Sequence, residues 1–416
     1  MTERAHKDKQ HFHLAARAVP GHSSIYANGG GMTYQYYDFF AGGGMAGVGL
    51  GPGWNCTFAN DFDAHKADVY CANHDGGAEF VLGDVAAVTT DDLPGRPDMA
   101  WASFPCQDLS LAGARRGLEG GRSSAFWTFW NLMRGLGDEG RAPGLIVLEN
   151  VYGALTSHGG TDFAALAAAF ADFGYRYGAV MINAVHFVPQ SRPRLFIIGI
   201  RSDVTVPAGC ISEIPSPLWH PNKLIEISGW LPSNSAKNWL WWDLPAPSTR
   251  NTSLATLIED DPQGVEWRND TDYLLNLMVP RHRAKVADAQ RLSQQLGRRV
   301  VGTIFRRTRT DPNGIKHQRA EIRFDEVSGC LRTPSGGSSR QILLVVEGAS
   351  IRSRLLSPRE AARLMGLPDS YKLPDRTNAA LHLVGDGVAV PVVRHIAAHI
   401  LEPILTKVEP SSVASM

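Results

Sequence analysis

Between residues 34 and 201 the sequence repeats one unit: a short apolar run stopped by a turn, then a stretch of helical periodicity. Residues 36–40 read as a strand that ends at a glycine-rich turn, and residues 45–50 can open a helix. Further strands are expected at 57–59, 99–102, 145–148 and 195–200, with helices at 124–136 and 163–173. Strand, helix, strand in repetition predicts an α/β fold in which a parallel sheet is covered on both faces. Such a sheet gathers its ligands at the carboxyl ends of its strands. The residues just after each strand are therefore the ones to examine for chemistry.

A chain of 416 residues exceeds the ~250–300 residues at which single cores stop growing, so two domains are expected. The texture changes after Arg201, where prolines multiply and six of the ten tryptophans fall between Trp219 and Trp267. The reading is a loosely ordered lead-in over 1–33, a catalytic α/β domain over 34–201, and an irregular, strand-rich domain over 202–346. A helical segment over 347–407 would return to the first domain, leaving a tail over 408–416. Trp239, Trp241 and Trp242 are expected in the packing.

The 41 basic and 41 acidic side chains cancel, but they are unevenly spread. Between Arg281 and Arg323 twelve Lys and Arg stand against three Asp and Glu, which suggests a face built for a polyanion. Five scattered cysteines do not make a disulfide framework, so a reducing cytoplasm is expected. No membrane span and no secretory signal are read from the sequence.

Six short motifs lie in the loops around these strands. Asp38-Phe39-Phe40-Ala41-Gly42-Gly43-Gly44 would let a ligand approach the backbone closely, though glycine turns also serve purely structural ends. Asn60-Asp61-Phe62-Asp63 places a carboxylate where ribose hydroxyls could donate to it, or where it caps a helix. Asp84 is open to the same two readings. Phe104-Pro105-Cys106-Gln107 puts a thiol in a loop, reactive if its pKa is lowered and otherwise an inert buried group. Glu149, after an apolar strand, can serve as an acid if burial raises its pKa. In Gln190-Ser191-Arg192-Pro193-Arg194, alternate arginines of an extended segment would point the same way and could grip phosphate.

Each motif alone has a bland reading, but their order is specific. With Arg332-Thr333-Pro334, Leu356-Ser357-Pro358-Arg359-Glu360 and Gly385-Asp386-Gly387 they resemble the DNA (cytosine-5) methyltransferase family over 34–405, apart from the variable stretch 202–330. The resemblance implies an S-adenosylmethionine-dependent, Rossmann-like large domain with a smaller target-recognition domain. It implies Cys106 as nucleophile, Glu149 at cytosine N3 and its amine, and Arg192 and Arg194 on the flipped base and its phosphate. Phe40, Gly42, Gly44, Asp61, Phe62, Asp84, Pro105 and Asp386 would frame the cofactor, and Gln107 would touch DNA. Asp386 departs from the family, which usually has Asn there; a carboxylate accepts hydrogen bonds but cannot donate as an amide does.

Residues 303–310 and 315–324, joined by Asp311-Pro312-Asn313-Gly314, read as a basic hairpin. Arg306, Arg307, Arg309, Lys316 and Arg319 would meet duplex DNA there, unless the run is simply a solvated face. The expected partner is double-stranded DNA, with a cognate restriction endonuclease acting on the same site and the chain monomeric. The same chemistry on tRNA and a catalytically silent DNA-binding regulator are the alternatives. Zinc at Cys56, His65, Cys71 and His74 is not expected, since only Cys71 and His74 have ligand-like spacing.

Overall fold

The computed structural model describes residues 33–105, 125–334 and 340–406. Seven strands form the main sheet: β1 (Tyr34–Phe39), β2 (Trp54–Asp61), β3 (Phe80–Leu82), β4 (Met99–Ala102), β5 (Leu145–Val151), β6 (Tyr175–Asn183) and β7 (Pro193–Arg201). Their order is β3-β2-β1-β4-β5-β7-β6. The first five run parallel, but β7 is antiparallel to both neighbours, β5 and β6. This corrects the expectation of an all-parallel sheet, and β3 and β6 were not foreseen at all. The reason is chain length: the link 184–192 is shorter than the dozen or more residues that a parallel crossover needs. β6 and β7 can therefore pair only as a hairpin.

Period-two alternation divides each strand between two cores. Tyr36, Trp101, Val147, Phe196 and Ile198 face one side, while Tyr37, Phe39, Ala100, Ile146 and Leu148 face the other. The second side is covered by helices Ala125–Asp138 and Thr161–Asp172, through Phe129, Met133, Phe163 and Phe170. The first is covered by helix Met45–Leu50 and by residues from near the end of the chain, including Leu364, Val393, Ile396 and Leu401. The stretch Thr377–Leu405 is long and apolar enough to cross a membrane by composition, which the sequence reading did not anticipate. Its apolar side chains are largely packed on the sheet instead.

Residues 202–299 hold short helices, the longer helix Pro280–Leu296, and only two-residue strands at Ile211–Ser212 and Trp241–Trp242. Trp219 and Trp242 are fully buried. The strand-rich part comes later, as an antiparallel sheet of Lys316–Arg323, Val300–Thr310, Ile342–Glu347 and Ser350–Leu355, in that order. It runs past residue 346, where the sequence reading ends the irregular domain. Ile342–Glu347 and Ser350–Leu355 are the two arms of one hairpin, joined through Gly348 at φ 58°. Ile304, Ala320, Ile322 and Leu344 pack against Val286 and Ala289 of helix Pro280–Leu296.

A buried ion pair ties this sheet to the C-terminal helices. Arg354 donates to both carboxylate oxygens of Glu360, at 2.8 and 2.6 Å, with both side chains essentially out of solvent. The same carboxylate accepts from the backbone of Ser357 and of Glu259, so three segments meet on it. Removing one member of such a pair strands the other charge. Arg354→Met is expected to cost about 3–5 kcal/mol in urea unfolding. A loss below about 1 kcal/mol, the range of an exposed pair, would show that the clamp is dispensable.

Candidate active site

The site begins where β1 ends. Phe40, in the turn, has φ 59°, a conformation that bulky residues avoid and that tends to cluster at functional sites. Three distant groups hold the glycines that follow. Asp61 accepts from the Gly42 N–H at 3.0 Å, and the Tyr371 hydroxyl donates to the Gly43 carbonyl at 2.6 Å. Gly44, at φ 77°, lies against the His74 ring, so any Cβ there would collide with it. Gly387 likewise has no room for a Cβ, because Met45 sulfur occupies the space.

Above the turn lies a cavity of about 420 Å3 at the carboxyl ends of β1, β2, β4 and β5. Phe40, Gly42, Asp61 and Phe62 form one part of its wall, and Pro105, Glu149, Arg194 and Asp386 others. Phe62 is 70% exposed, an aromatic face on the lip. Asp61 is 5% exposed, and each of its oxygens accepts one backbone N–H, from Gly42 and from Asp63. Asp38 is buried on the same wall, and among the described residues its Oδ2 has no partner. Burial, with Asp61 nearby, pushes its pKa up to about 8.

Glu149 and Asn150 lie within β5, which runs three residues beyond the expected strand end. Glu149 is 6% exposed, and Arg194 on the neighbouring β7 approaches it to 3.2 Å. Burial raises the Glu149 pKa; Arg194, then Arg192 and the Ser103 hydroxyl, pull against it. Asn150 donates to the Phe104 carbonyl at 3.1 Å and so anchors the loop that leads to Pro105. Cys106 and Gln107 follow directly and lie outside the described residues.

The two arginines do not act as a pair, which corrects the reading that they point the same way. β7 starts at Pro193, so Arg192 is outside the pleat that would align it with Arg194. Arg192 is 1% exposed and donates to the carbonyls of Leu331, Gly385 and Gly387 at 3.0, 2.8 and 2.6 Å. It positions the turn that carries Asp386. Gln190 does similar work, donating to the Leu364 carbonyl and accepting from the Leu331 N–H. Asp84 caps a short turn through the Ala86 N–H, and neither it nor Gly44 lines the cavity.

Lys66 was missed in the sequence. It lines the cavity and forms an ion pair with Asp386 at 2.9 Å. The signal available was its place in the first turn after the Asp63 cap. Asp38, a lone carboxylate in an apolar strand, was a plainer sign. Among the described residues no cluster of three His, Cys, Asp or Glu side chains is arranged to hold a metal.

The basic hairpin pairs from Thr303–Arg323 to Thr310–Lys316. Arg307 and Arg309 both reach Glu321, and Arg319 stands opposite Arg307. Lys316 is exposed at the hairpin end. Arg306 and Arg307 line a second cavity, of about 310 Å3, together with Arg332 and Arg340.

A family model described as C-5 cytosine-specific DNA methylase matches residues 34–402. The chain belongs to that family. It is 25% identical over 368 residues to the type II methyltransferase M.HhaI of Haemophilus parahaemolyticus, covering 88% of this chain and 94% of that one. It is 26% identical over 379 residues to the type II methyltransferase M.HpaII of Haemophilus parainfluenzae, covering 89% of each. The solved structure of the S. pombe Dnmt2 methyltransferase superposes with a TM-score of 0.54 at 16% identity, over 89% of this chain and 99% of that one. At that identity the likeness speaks for the fold alone. This methylase thus has the methyltransferase α/β fold with a separate strand-rich sheet, and its glycine turn, Glu149 and the Pro105 loop converge on one cavity.

Proposed function

We propose that this methylase transfers a methyl group to C5 of a cytosine flipped out of duplex DNA, through a covalent bond from Cys106 to C6. The observation that carries the reading is Glu149, a buried carboxyl with a raised pKa on the same wall as the loop entering Cys106. C5 of cytosine is a poor nucleophile. Addition of the Cys106 thiolate to C6, with a proton held by Glu149 at N3, makes C5 enamine-like. Loss of the C5 proton after methylation then expels the thiolate. The target atom is hidden within a duplex, so the base must leave the stack at a cost of a few kcal/mol.

S-adenosylmethionine, when bound, supplies the sulfonium methyl. The cavity suits it: Phe62 offers a face for adenine, Asp61 can accept from ribose hydroxyls, and the orphaned Asp38 oxygen suits a cationic ammonium. The names of the relatives support restriction–modification as the setting, with a partner endonuclease, a monomeric enzyme and a cytoplasmic location as parts of the proposal. Tritium release from [5-3H]cytosine tests the substrate. Release from duplex DNA is expected; release from tRNA alone, or from neither, would overturn the reading.

The hairpin is proposed to read the duplex. Losing a phosphate contact lowers the salt slope by ~0.9. Losing a base-edge contact costs ~1–3 kcal/mol and relaxes preference at one position. Among Arg306→Ala, Arg307→Ala and Arg309→Ala, at least one should lose discrimination between target and random duplexes, and at least one should weaken both. If all three bind like the parent, the hairpin is a solvated face.

A further inference from the structure

We propose that Lys66 is the cation that receives the α-carboxylate of the cofactor's methionine part, in a site where Asp386 cannot donate to it. The inference rests on S-adenosylmethionine occupying the cavity above the glycine turn.

Lys66 starts from the first turn of helix Ala64–Asn73 and lies along Gly42, its Cδ in van der Waals range of the space a Cβ would fill. Its ammonium then meets Asp386 at 2.9 Å, and its side chain is only 18% exposed. Four acidic side chains line the cavity, Asp38, Asp61, Glu149 and Asp386. Two cations line the same wall, Lys66 and Arg194, and Arg194 is engaged by Glu149. A ligand carboxylate placed beside Asp61 and Asp386 would be repelled unless Lys66 met it.

Geometry assigns the ligand's ends. Phe62 and Asp61 suit the adenine and ribose, and the methyl must face Glu149 and the Pro105 loop. What remains for the amino-acid tail is the wall of Gly42, Lys66, Asp386 and Gly387. An ammonium has three N–H donors. Asp386 takes one, and among the described residues Lys66 Nζ meets no other acceptor. Asp386 and Asp61 keep Lys66 charged against the effect of burial. The ion pair thus restores the donor that a side-chain amide would have supplied at position 386.

Calorimetric titration of the full chain with two ligands tests this without turnover. S-adenosylhomocysteine carries the amino-acid tail; 5′-methylthioadenosine lacks it. Lys66→Met should weaken S-adenosylhomocysteine binding about ten- to one-hundred-fold, the range of a hydrogen bond to a charged group. It should leave 5′-methylthioadenosine binding within about two-fold, well under the tenfold that 1.4 kcal/mol represents. Lys66→Arg should retain most of the affinity, and adding Asp386→Asn to Lys66→Met should restore part of it. Equal losses for both ligands would make Lys66 a strut between two segments and overturn the proposal, as would no loss for either. A parent chain that binds neither ligand would overturn the cofactor reading itself, and this inference with it.

Discussion

Cys106→Ser is expected to abolish the covalent complex with DNA carrying 5-fluorocytosine, and with it all measurable methyl transfer. Fluorine cannot leave C5 as a proton does, so the parent enzyme should be trapped after the methyl has been added. The thiolate is the nucleophile, and a serine hydroxyl at neutral pH is far weaker. The other cysteines supply the controls. Burial pushes the Cys56 thiol up to about 12 and raises those of Cys71 and Cys210, which disfavours their thiolates. Cys330 is the demanding control, since its sulfur lies 3.7 Å from Arg192 and lines the basic second cavity. Serine at any of these four positions should keep the adduct. An adduct that persists in Cys106→Ser on a denaturing gel would assign the nucleophile elsewhere.

Glu149→Gln is expected to lower turnover by ~10²–10⁴-fold, the usual contribution of a general acid or base. Glutamine keeps the shape and accepts from Arg194, so binding of S-adenosylhomocysteine should change little. Near-normal single-turnover rates would place the proton chemistry on another group. The pH profile gives a second reading. If Glu149 acts in its protonated form, kcat falls as pH rises through its pKa. Burial sets that pKa above the ordinary carboxyl range while Arg194 holds it back. Arg194→Met removes the opposing charge, so the pKa should rise and the falling limb should move to higher pH. A limb that stays in place, or moves down, would show that another group titrates there.

What the sequence by itself determined is local. The alternation of apolar runs and helical stretches placed β1, β2, β4, β5 and β7, and turn residues marked their carboxyl ends. Each turn motif alone was ambiguous; it was their order, through the resemblance to the cytosine-5 methyltransferases, that named Phe40, Asp61, Pro105, Glu149 and Arg194, and all line one cavity. The hairpin was legible directly from the sequence, as two β-rich runs on either side of an Asn-Gly turn.

What only the tertiary structure decided is which distant groups meet. The antiparallel course of β7 brings Arg194 beside Glu149, while the start of that strand at Pro193 sends Arg192 to the carbonyls of Leu331, Gly385 and Gly387. Tyr371 reaches Gly43, Glu360 accepts from the Glu259 backbone, and Lys66 reaches Asp386 from the far end of the chain. Periodicity tells which face of an element a residue occupies, because 2.0 and 3.6 are properties of the backbone. It is silent on which face of another element lies opposite. That depends on strand order and on the length of each connection, and the charges of this site are partnered across both.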